Sequence, residues 1–105
     1  MDDMILTKHP RKLLVIIAES LIESLLIDDV MHMGAHGYTV TDVRGRGASG
    51  TREGNWEADR TIRMEVVCDT DVADQIGAHI LEKYARHYGV TMYFSDVQVF
   101  RPEKF

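Results

Sequence analysis

The chain has 105 residues and a formal net charge of −5, with 45% apolar and 28% charged residues. This length predicts a single domain, residues 1–105, and the acidic balance disfavours a nucleic-acid-binding or anionic-membrane surface. The single cysteine, Cys68, excludes an internal disulfide and a cysteine-rich zinc site.

The N-terminal sequence MDDMILTKHP has two early acids and no apolar core, so it does not resemble a secretory signal. Apolar runs such as LLVIIA are too short to span a bilayer, and we expect a cytoplasmic protein without direct membrane insertion.

The first half of the chain predicts a strand, a helix and a second strand. The continuous apolar run KLLVIIA, residues 12–18, indicates a central strand that is covered on both faces. Ser20 and Glu23 have capping-box spacing for a helix that stops at Gly34. The predicted buried face of this helix contains Leu21, Ile22, Leu25, Leu26, Val30 and Met33. A second strand is expected over residues 37–44.

A glycine-rich stretch follows the second predicted strand. Residues 45–54 contain four glycines, and arginines stand at positions 44, 46, 52 and 60. Successive glycine amides can form a concave anion-binding nest, and guanidinium groups add paired donors for phosphate oxygens. The stretch is neither a Walker A loop nor a dinucleotide fingerprint. It is therefore either an anion-binding element or a loop without a ligand, and we expect residues 46–58 to be mobile in the free protein.

The second half predicts a strand, a helix and a last strand. RTIRMEVVC, residues 60–68, alternates, so Ile62, Met64 and Val66 should face the core, and Arg63, Glu65 and Val67 the other side. Cys68 should be buried as a small hydrophobe. The acids of DTDV favour a helix start, and the buried stripe of this helix should contain Ala73, Ile76, Gly77, Ile80, Leu81 and Tyr84. The helix should end near His87 with Gly89 as its cap, before a strand over residues 90–100.

This β-α-β-loop-β-α-β order indicates an α+β, ferredoxin-like fold, in which both helices cover one face of a four-stranded antiparallel sheet. Thr39, Thr41, Arg63 and Glu65 should lie on the other face, which suits a partly polar interface between subunits. Histidines at positions 32 and 36, or 79 and 87, are poorly spaced for a metal site, and no catalytic arrangement of Ser, His and Asp is apparent.

Residues 34–47, GAHGYTVTDVRGRG, resemble the strand that enters the ligand-responsive T-loop of the PII signalling superfamily. The likeness is greater to the PII-like branch, which includes carboxysome-associated and bicarbonate-transporter-associated proteins. TIRMEVVC, residues 61–68, resembles the strand that leaves that loop. The element order extends the resemblance over nearly the whole chain and implies a flexible T-loop at about residues 45–59.

The resemblance implies a homotrimer whose open sheet faces turn inward, with an adenine nucleotide in each of three clefts between subunits. The positions that match the surroundings of the adenine are Ile17, Gly37, Thr39, Glu65 and Val67. The positions that match the phosphate side are Gly45, Arg46, Gly47, Ser49, Gly89 and, as a partial substitute for the family's C-terminal arginines, Arg101.

Departures from the classical PII pattern change the expected ligand. Residues 84–94 lack the Gly-Asp-Gly-Lys segment that grips the outer phosphates, and Ser49 replaces a glutamine that helps to hold Mg²⁺ and 2-oxoglutarate. No tyrosine stands between residues 45 and 60. These differences favour ADP, AMP or cyclic AMP over MgATP.

The resemblance therefore implies a non-enzymatic regulator, without a cofactor, that is linked to inorganic-carbon uptake or carboxysome function. Its partner would be a bicarbonate transporter or a carboxysome-related protein. Arg46, Arg52 and Arg60 are the candidates for holding bicarbonate through paired donors. The alternatives are a trimeric metal-binding protein of the divalent-cation tolerance type and a slow nucleotide hydrolase that uses Glu53 or Glu57.

Overall fold

Helices α1 and α2 lie on one side of a four-stranded antiparallel sheet. The computed structural model describes residues 6–47, 50–52 and 60–105, with the backbone alone at residues 46, 47 and 50–52. The elements are β1 (His9–Glu19), α1 (Glu23–His32), β2 (Thr39–Val43), β3 (Gly45–Gly47), β4 (Gly50–Arg52), β5 (Thr61–Cys68), α2 (Thr70–Lys83) and β6 (Val90–Val99). The strand order β2-β5-β1-β6 confirms the predicted ferredoxin-like fold.

The glycine-rich stretch begins with a short ribbon that the sequence did not predict. Strands β3 and β4 pair with each other in an antiparallel sheet of their own, with Gly45 opposite Arg52 and Gly47 opposite Gly50. The prediction of an irregular loop did not include this pairing. The expected mobility of residues 46–58 stays a prediction, since much of that range lies outside the described residues.

The apolar run of β1 forms the centre of the sheet, as predicted. Strand β1 pairs with β5 on one side and with β6 on the other. Its alternate residues Leu14, Ile16 and Ala18 are fully buried in the core under the helices. Val15 points to the opposite face and is also fully buried. Both faces of the strand therefore carry buried apolar side chains, so apolar residues follow one another without alternating with polar ones.

The alternation in β5 is also confirmed. Ile62, Met64 and Val66 have no solvent exposure and belong to the core, whereas Arg63, Glu65 and Val67 are partly exposed on the other face. Cys68 is buried at the end of this strand, and burial, with a smaller effect from the charge of Asp69, raises the pKa of its thiol. The interpretation of Cys68 as a small core residue therefore holds.

The sequence prediction placed too many residues on the buried faces of the helices. In α1 and the 3-10 turn that precedes it, Ile22, Leu26 and Val30 are buried, but Leu21 is 63% and Leu25 47% exposed. Leu81 of α2 is likewise 62% exposed, while the rest of its predicted stripe is buried. A helix that lies on a sheet contacts it along one narrow stripe, so apolar residues at the edges of the stripe remain in solvent.

The ends of the helices were predicted with mixed success. Ser20 lies inside the 3-10 turn (Ser20–Ile22) rather than before it, so the capping box is wrong. Gly34 ends α1 as predicted: its φ of +112° is a left-handed conformation that favours glycine. The amide of Ala35 donates to the carbonyl of Val30 at 3.0 Å, which completes a Schellman motif. Helix α2 ends at Lys83, so Gly89 is not its cap.

Neither α1 nor α2 covers the other face of the sheet. This open face consists of the alternate residues of each strand, among them Leu13, Ile17, Arg63 and Val67, which are partly exposed. It therefore carries the apolar residues Leu13 and Ile17 on β1 and both polar and apolar residues on β5. No helix within residues 6–47, 50–52 and 60–105 is long and apolar enough to cross a membrane.

Candidate functional site

A pocket of about 220 Å³ lies on the open face where β2 meets β5. Four of the five residues predicted to surround adenine line it, namely Gly37, Thr39, Glu65 and Val67. Tyr38, Lys104 and Phe105 complete the lining. The structure thus brings together residues that the sequence separates by up to 68 positions (105 − 37).

Strand register explains why these side chains converge. Thr39 and Glu65 stand directly opposite each other on β2 and β5, and paired residues in an antiparallel sheet point to the same face about 4.5–5.5 Å apart. Val67 follows Glu65 by two positions and therefore shares that face. Gly37 lies two residues before the first residue of β2 and also lines the pocket.

The pocket combines an acceptor, a hydroxyl and apolar walls. The Glu65 carboxylate is 38% exposed and lies 3.9 Å from the Arg63 guanidinium. Arg63 in turn donates a 2.7 Å hydrogen bond to the Tyr93 hydroxyl, which fixes the guanidinium over β1. Arg63 therefore partly balances the charge of Glu65. The pocket suits a flat, mainly apolar ligand that offers an N–H to a carboxylate.

The fifth adenine candidate, Ile17, lies on the same face but is not part of the pocket lining. It sits on β1 opposite Arg63 of β5, and β5 separates it from β2. It therefore borders the site as part of the open face rather than closing the pocket.

The predicted phosphate-side residues are not beside one another in a single chain. Gly45 follows β2 and Gly89 precedes β6, and these strands form opposite edges of the sheet. The register places both at the same end of the sheet, but three strand spacings separate them by about 14 Å. Within one chain the two glycines therefore do not form a single compact phosphate site.

Several of the predicted anion ligands already have partners within the chain. The Gly89 amide donates a 2.6 Å hydrogen bond to the Glu19 carboxylate. The Arg60 guanidinium lies 3.5 Å from Asp42, and Arg101 pairs with Glu103 at 3.7 Å. An anion that binds these groups must compete with an internal carboxylate.

Other predicted residues cannot be placed in the same detail. Arg46 and Gly47 belong to β3 and Arg52 to β4, but their side chains are not described. Ser49, Glu53 and Glu57 lie outside the described residues.

The sequence prediction missed Tyr38, Lys104 and Phe105. Tyr38 stands between two predicted residues, is 42% exposed and lines the pocket. Lys104 and Phe105 reach the pocket only because the chain crosses the open face after β6. No local pattern in the sequence reveals that crossing.

The histidines do not assemble a metal site in the described part of the chain, where no three His, Cys, Asp or Glu residues converge. The ring of His32 contacts the Asp28 carbonyl at 2.7 Å, and that of His79 contacts Asp29 at 3.1 Å. Both rings therefore have local partners in the helical layer.

Comparison with known proteins decides the family. The family model of the nitrogen regulatory protein P-II matches residues 11–104, nearly the whole chain. The protein belongs to the P-II family. A PII-like signalling protein from Thermus thermophilus is 41% identical, with a TM-score of 0.81 over 93% of this chain and 97% of that one.

A second P-II relative has been solved with ligands. CPII, a nitrogen regulatory PII-like protein from Thiomonas intermedia, is 25% identical, with a TM-score of 0.84 over 94% of this chain and 96% of its own. That structure contains ADP, AMP and bicarbonate. A DUF3240 family protein from Shewanella baltica, at 15% identity and a TM-score of 0.64 over 80% and 86% of the two chains, shares the fold alone.

Proposed function

We propose that this P-II family protein is a non-enzymatic regulator that binds ADP or AMP through the pocket between β2 and β5. The observation that carries the proposal is the convergence of Gly37, Thr39, Glu65 and Val67 on one pocket. The ligands of CPII, which are ADP, AMP and bicarbonate, support the same class of ligand here. The proposed location is the cytoplasm, where these nucleotides occur.

The chemistry of the pocket favours adenine over guanine. A carboxylate only accepts hydrogen bonds, so Glu65 matches the exocyclic amine of adenine and opposes the carbonyl of guanine at the same position. The Thr39 hydroxyl can donate to a ring nitrogen or accept from the amine. The volume of about 220 Å³ is smaller than the roughly 300–1,000 Å³ of a typical ligand pocket. The base would therefore fill the pocket, and the ribose and phosphates would extend beyond it.

We infer that the phosphates are held between subunits of a homotrimer. The pocket, the β3–β4 ribbon and Gly89 lie at different places on one chain, so a second copy must bring phosphate ligands to the base. The open face, with Leu13, Ile17 and Val67 partly exposed, supplies the apolar surface for such packing. Arg101 would then contribute from the adjacent subunit.

Static light scattering tests the assembly. At micromolar concentration we expect three times the 12.0 kDa mass of the chain, because packing of the open faces buries apolar area that a domain of this size otherwise leaves in water. A mass near 12 kDa over that concentration range would exclude the trimer and the clefts between subunits.

Bicarbonate is the proposed second ligand, with Arg46, Arg52 and Arg60 as its candidates. Arg60 is the one whose side chain is described: it is about half exposed and pairs with Asp42 at 3.5 Å. An exposed pair of this kind is weak, so a bound anion can replace Asp42 at little cost. The downstream partner we propose is a bicarbonate transporter or a carboxysome-related protein; cyclic AMP and ATP are further candidates for the nucleotide.

Titration calorimetry with AMP, ADP, ATP, cyclic AMP and GDP tests the nucleotide proposal. We expect ADP or AMP to bind at least as tightly as ATP, and GDP more weakly. Thr39→Val should weaken ADP binding about three- to tenfold, because one neutral hydrogen bond is worth roughly 0.5–1.5 kcal/mol. The matched control is Thr41→Val, two positions along the same face of β2 and outside the pocket lining.

The same titration with bicarbonate at constant pH and ionic strength tests the second ligand. If bicarbonate and the nucleotide stabilise the same conformation of the protein, each ligand increases the affinity for the other by the same factor. Nucleotide affinity that is indifferent to bicarbonate would remove the inorganic-carbon part of the proposal. A strong preference for MgATP, or equal behaviour of Thr39→Val and Thr41→Val, would contradict the nucleotide part.

A further inference from the structure

After β6 the chain crosses the open face and reaches the pocket between β2 and β5. We call residues 100–105 the strap. Strand β6 is an edge of the sheet, yet Lys104 and Phe105 line the pocket between β5 and β2 on the other side of β1. The distance from β6 to β5 is two strand spacings, about 10 Å. Six residues with one 3-10 turn of about 2.0 Å rise per residue cover that distance.

Two backbone features direct the strap toward the pocket. Arg101 has a left-handed conformation with φ +57°, which turns the chain away from the line of β6. A 3-10 turn, Pro102–Lys104, follows, and its hydrogen bonds run from the Lys104 amide to the Arg101 carbonyl at 3.0 Å and from the Phe105 amide to the Pro102 carbonyl at 3.1 Å. These hydrogen bonds order the backbone of the strap as far as Phe105.

Arg11 ties the strap to the sheet. Its side chain lies on the open face, since the adjacent residues of β1 alternate and Leu14 faces the core. Arg11 Nη2 donates a 3.2 Å hydrogen bond to the Pro102 carbonyl, and Arg11 Nε lies 3.4 Å from Asp69. The Arg11 side chain is only 20% exposed. It therefore joins the start of the strap to the end of β5, close to the pocket.

We infer that Phe105 is the stacking wall for the base and determines the specificity of this pocket for flat aromatic ligands. The inference rests on the proposed function and names the residue that completes the site. Besides Phe105, the lining supplies one aliphatic wall, Val67, three polar groups, Thr39, Glu65 and Lys104, and one further aromatic residue, Tyr38. Hydrogen bonds alone do not hold a base flat, and truncation of Phe105 with Tyr38 intact tests which ring does so. Phe105 adds an aromatic ring, and base–aromatic stacking is a large and sequence-tolerant contribution to nucleotide recognition. Arg11 acts through the strap as a positioning residue.

The test is ADP titration of Phe105 variants in the full chain. Phe105→Ala should weaken ADP binding about tenfold, and Phe105→Tyr, which keeps the ring, should restore affinity to within about threefold of the wild type. The matched control is Phe100→Ala. Phe100 belongs to the same strap and is 50% exposed, but it does not line the pocket, so its removal should leave ADP affinity unchanged.

Arg11→Met tests the positioning role. This change removes the hydrogen bond to Pro102 and keeps most of the side-chain volume, so ADP affinity should fall. The double variant with Phe105→Ala should bind no more weakly than Phe105→Ala alone, because both changes remove the same contact. If Arg11 has a purely structural role, the losses of ADP affinity caused by Arg11→Met and Phe105→Ala should add in the double variant.

The outcomes separate this inference from the function on which it rests. If the wild type does not bind adenine nucleotides, the proposed function fails and the stacking wall fails with it. If the wild type binds and Phe105→Ala binds equally well, only the stacking wall is wrong. Tighter binding by Phe105→Ala would also overturn it, because the ring would then be an internal occupant that the base has to displace.

Discussion

Ile16→Ala should lower the free energy of unfolding by about 2–5 kcal/mol, the usual cost of truncating a buried isoleucine and leaving a cavity. Ile16 has no solvent exposure and stands in the central strand, opposite Met64 on β5 and Met92 on β6. Neighbours on two strands and the helices above hold the cavity open. Since domains are stable by only about 5–15 kcal/mol, this single change removes a large fraction of the total.

The adjacent residue provides a matched control. Ile17 is the same residue type in the same strand, but it points to the open face and is partly exposed. Ile17→Ala should cost distinctly less stability and act instead on nucleotide affinity or assembly. Chemical denaturation at a fixed protein concentration measures the free energy of unfolding of both variants. For Ile16→Ala the denaturation midpoint should fall, while the slope of the unfolding free energy against denaturant concentration should not change. Equal losses for the two variants would contradict the assignment of the two faces.

The fold was predictable because its strongest signals are local. The continuous run of β1 and the alternation of β5 both depend on side chains within one strand, and the structure places Leu14, Ile16, Met64 and Val66 in the core as predicted. The errors occur where tertiary contact decides the outcome. Whether Leu25 is buried depends on how α1 lies on the sheet, and its 47% exposure cannot be read from helical spacing alone.

The candidate site was predictable only in part. Gly37, Thr39, Glu65 and Val67 could be named because they lie on two recognisable strands next to the glycine-rich stretch, and register brings them together. Phe105 could not be named, since its position follows from a left-handed turn at Arg101 and a hydrogen bond from Arg11, which is 91 residues earlier than Pro102. The pairing of Gly89 with Glu19 is equally non-local.

Asp29→Asn should lower the free energy of unfolding by about 1.5–3 kcal/mol near neutral pH, the usual worth of hydrogen bonds to a charged group. Asp29 joins the two helices. Its carboxylate accepts a 2.5 Å hydrogen bond from the Tyr84 hydroxyl and lies 3.1 Å from His79 Nε2 and 3.3 Å from Lys83 Nζ. Tyr84 is 3% and the Asp29 side chain 18% exposed, so water replaces these contacts poorly.

The pH dependence follows from the same contacts. Burial alone would raise the pKa of Asp29, but the hydrogen bonds with Tyr84, His79 and Lys83 together hold it below its ordinary value of 3.8. A carboxyl whose pKa is lower in the folded state stabilises the fold above the unfolded-state pKa. The stabilisation is therefore complete well above pH 3.8 and is lost as the pH falls through the lower folded-state value.

Asp28→Asn is the control that isolates this effect, because Asp28 is the preceding residue of α1, carries the same charge and is exposed. Denaturation curves of wild type, Asp29→Asn and Asp28→Asn at pH 7 and at several points below pH 4 should show a deficit for Asp29→Asn alone. The deficit should shrink as the wild-type carboxylate becomes protonated, since the two side chains are then both neutral. A deficit that persists unchanged in acid would mean that the introduced asparagine fits the helix interface poorly for steric reasons. Stability equal to that of Asp28→Asn at pH 7 would mean that the contact between the helices is maintained by packing, without a contribution from the charge.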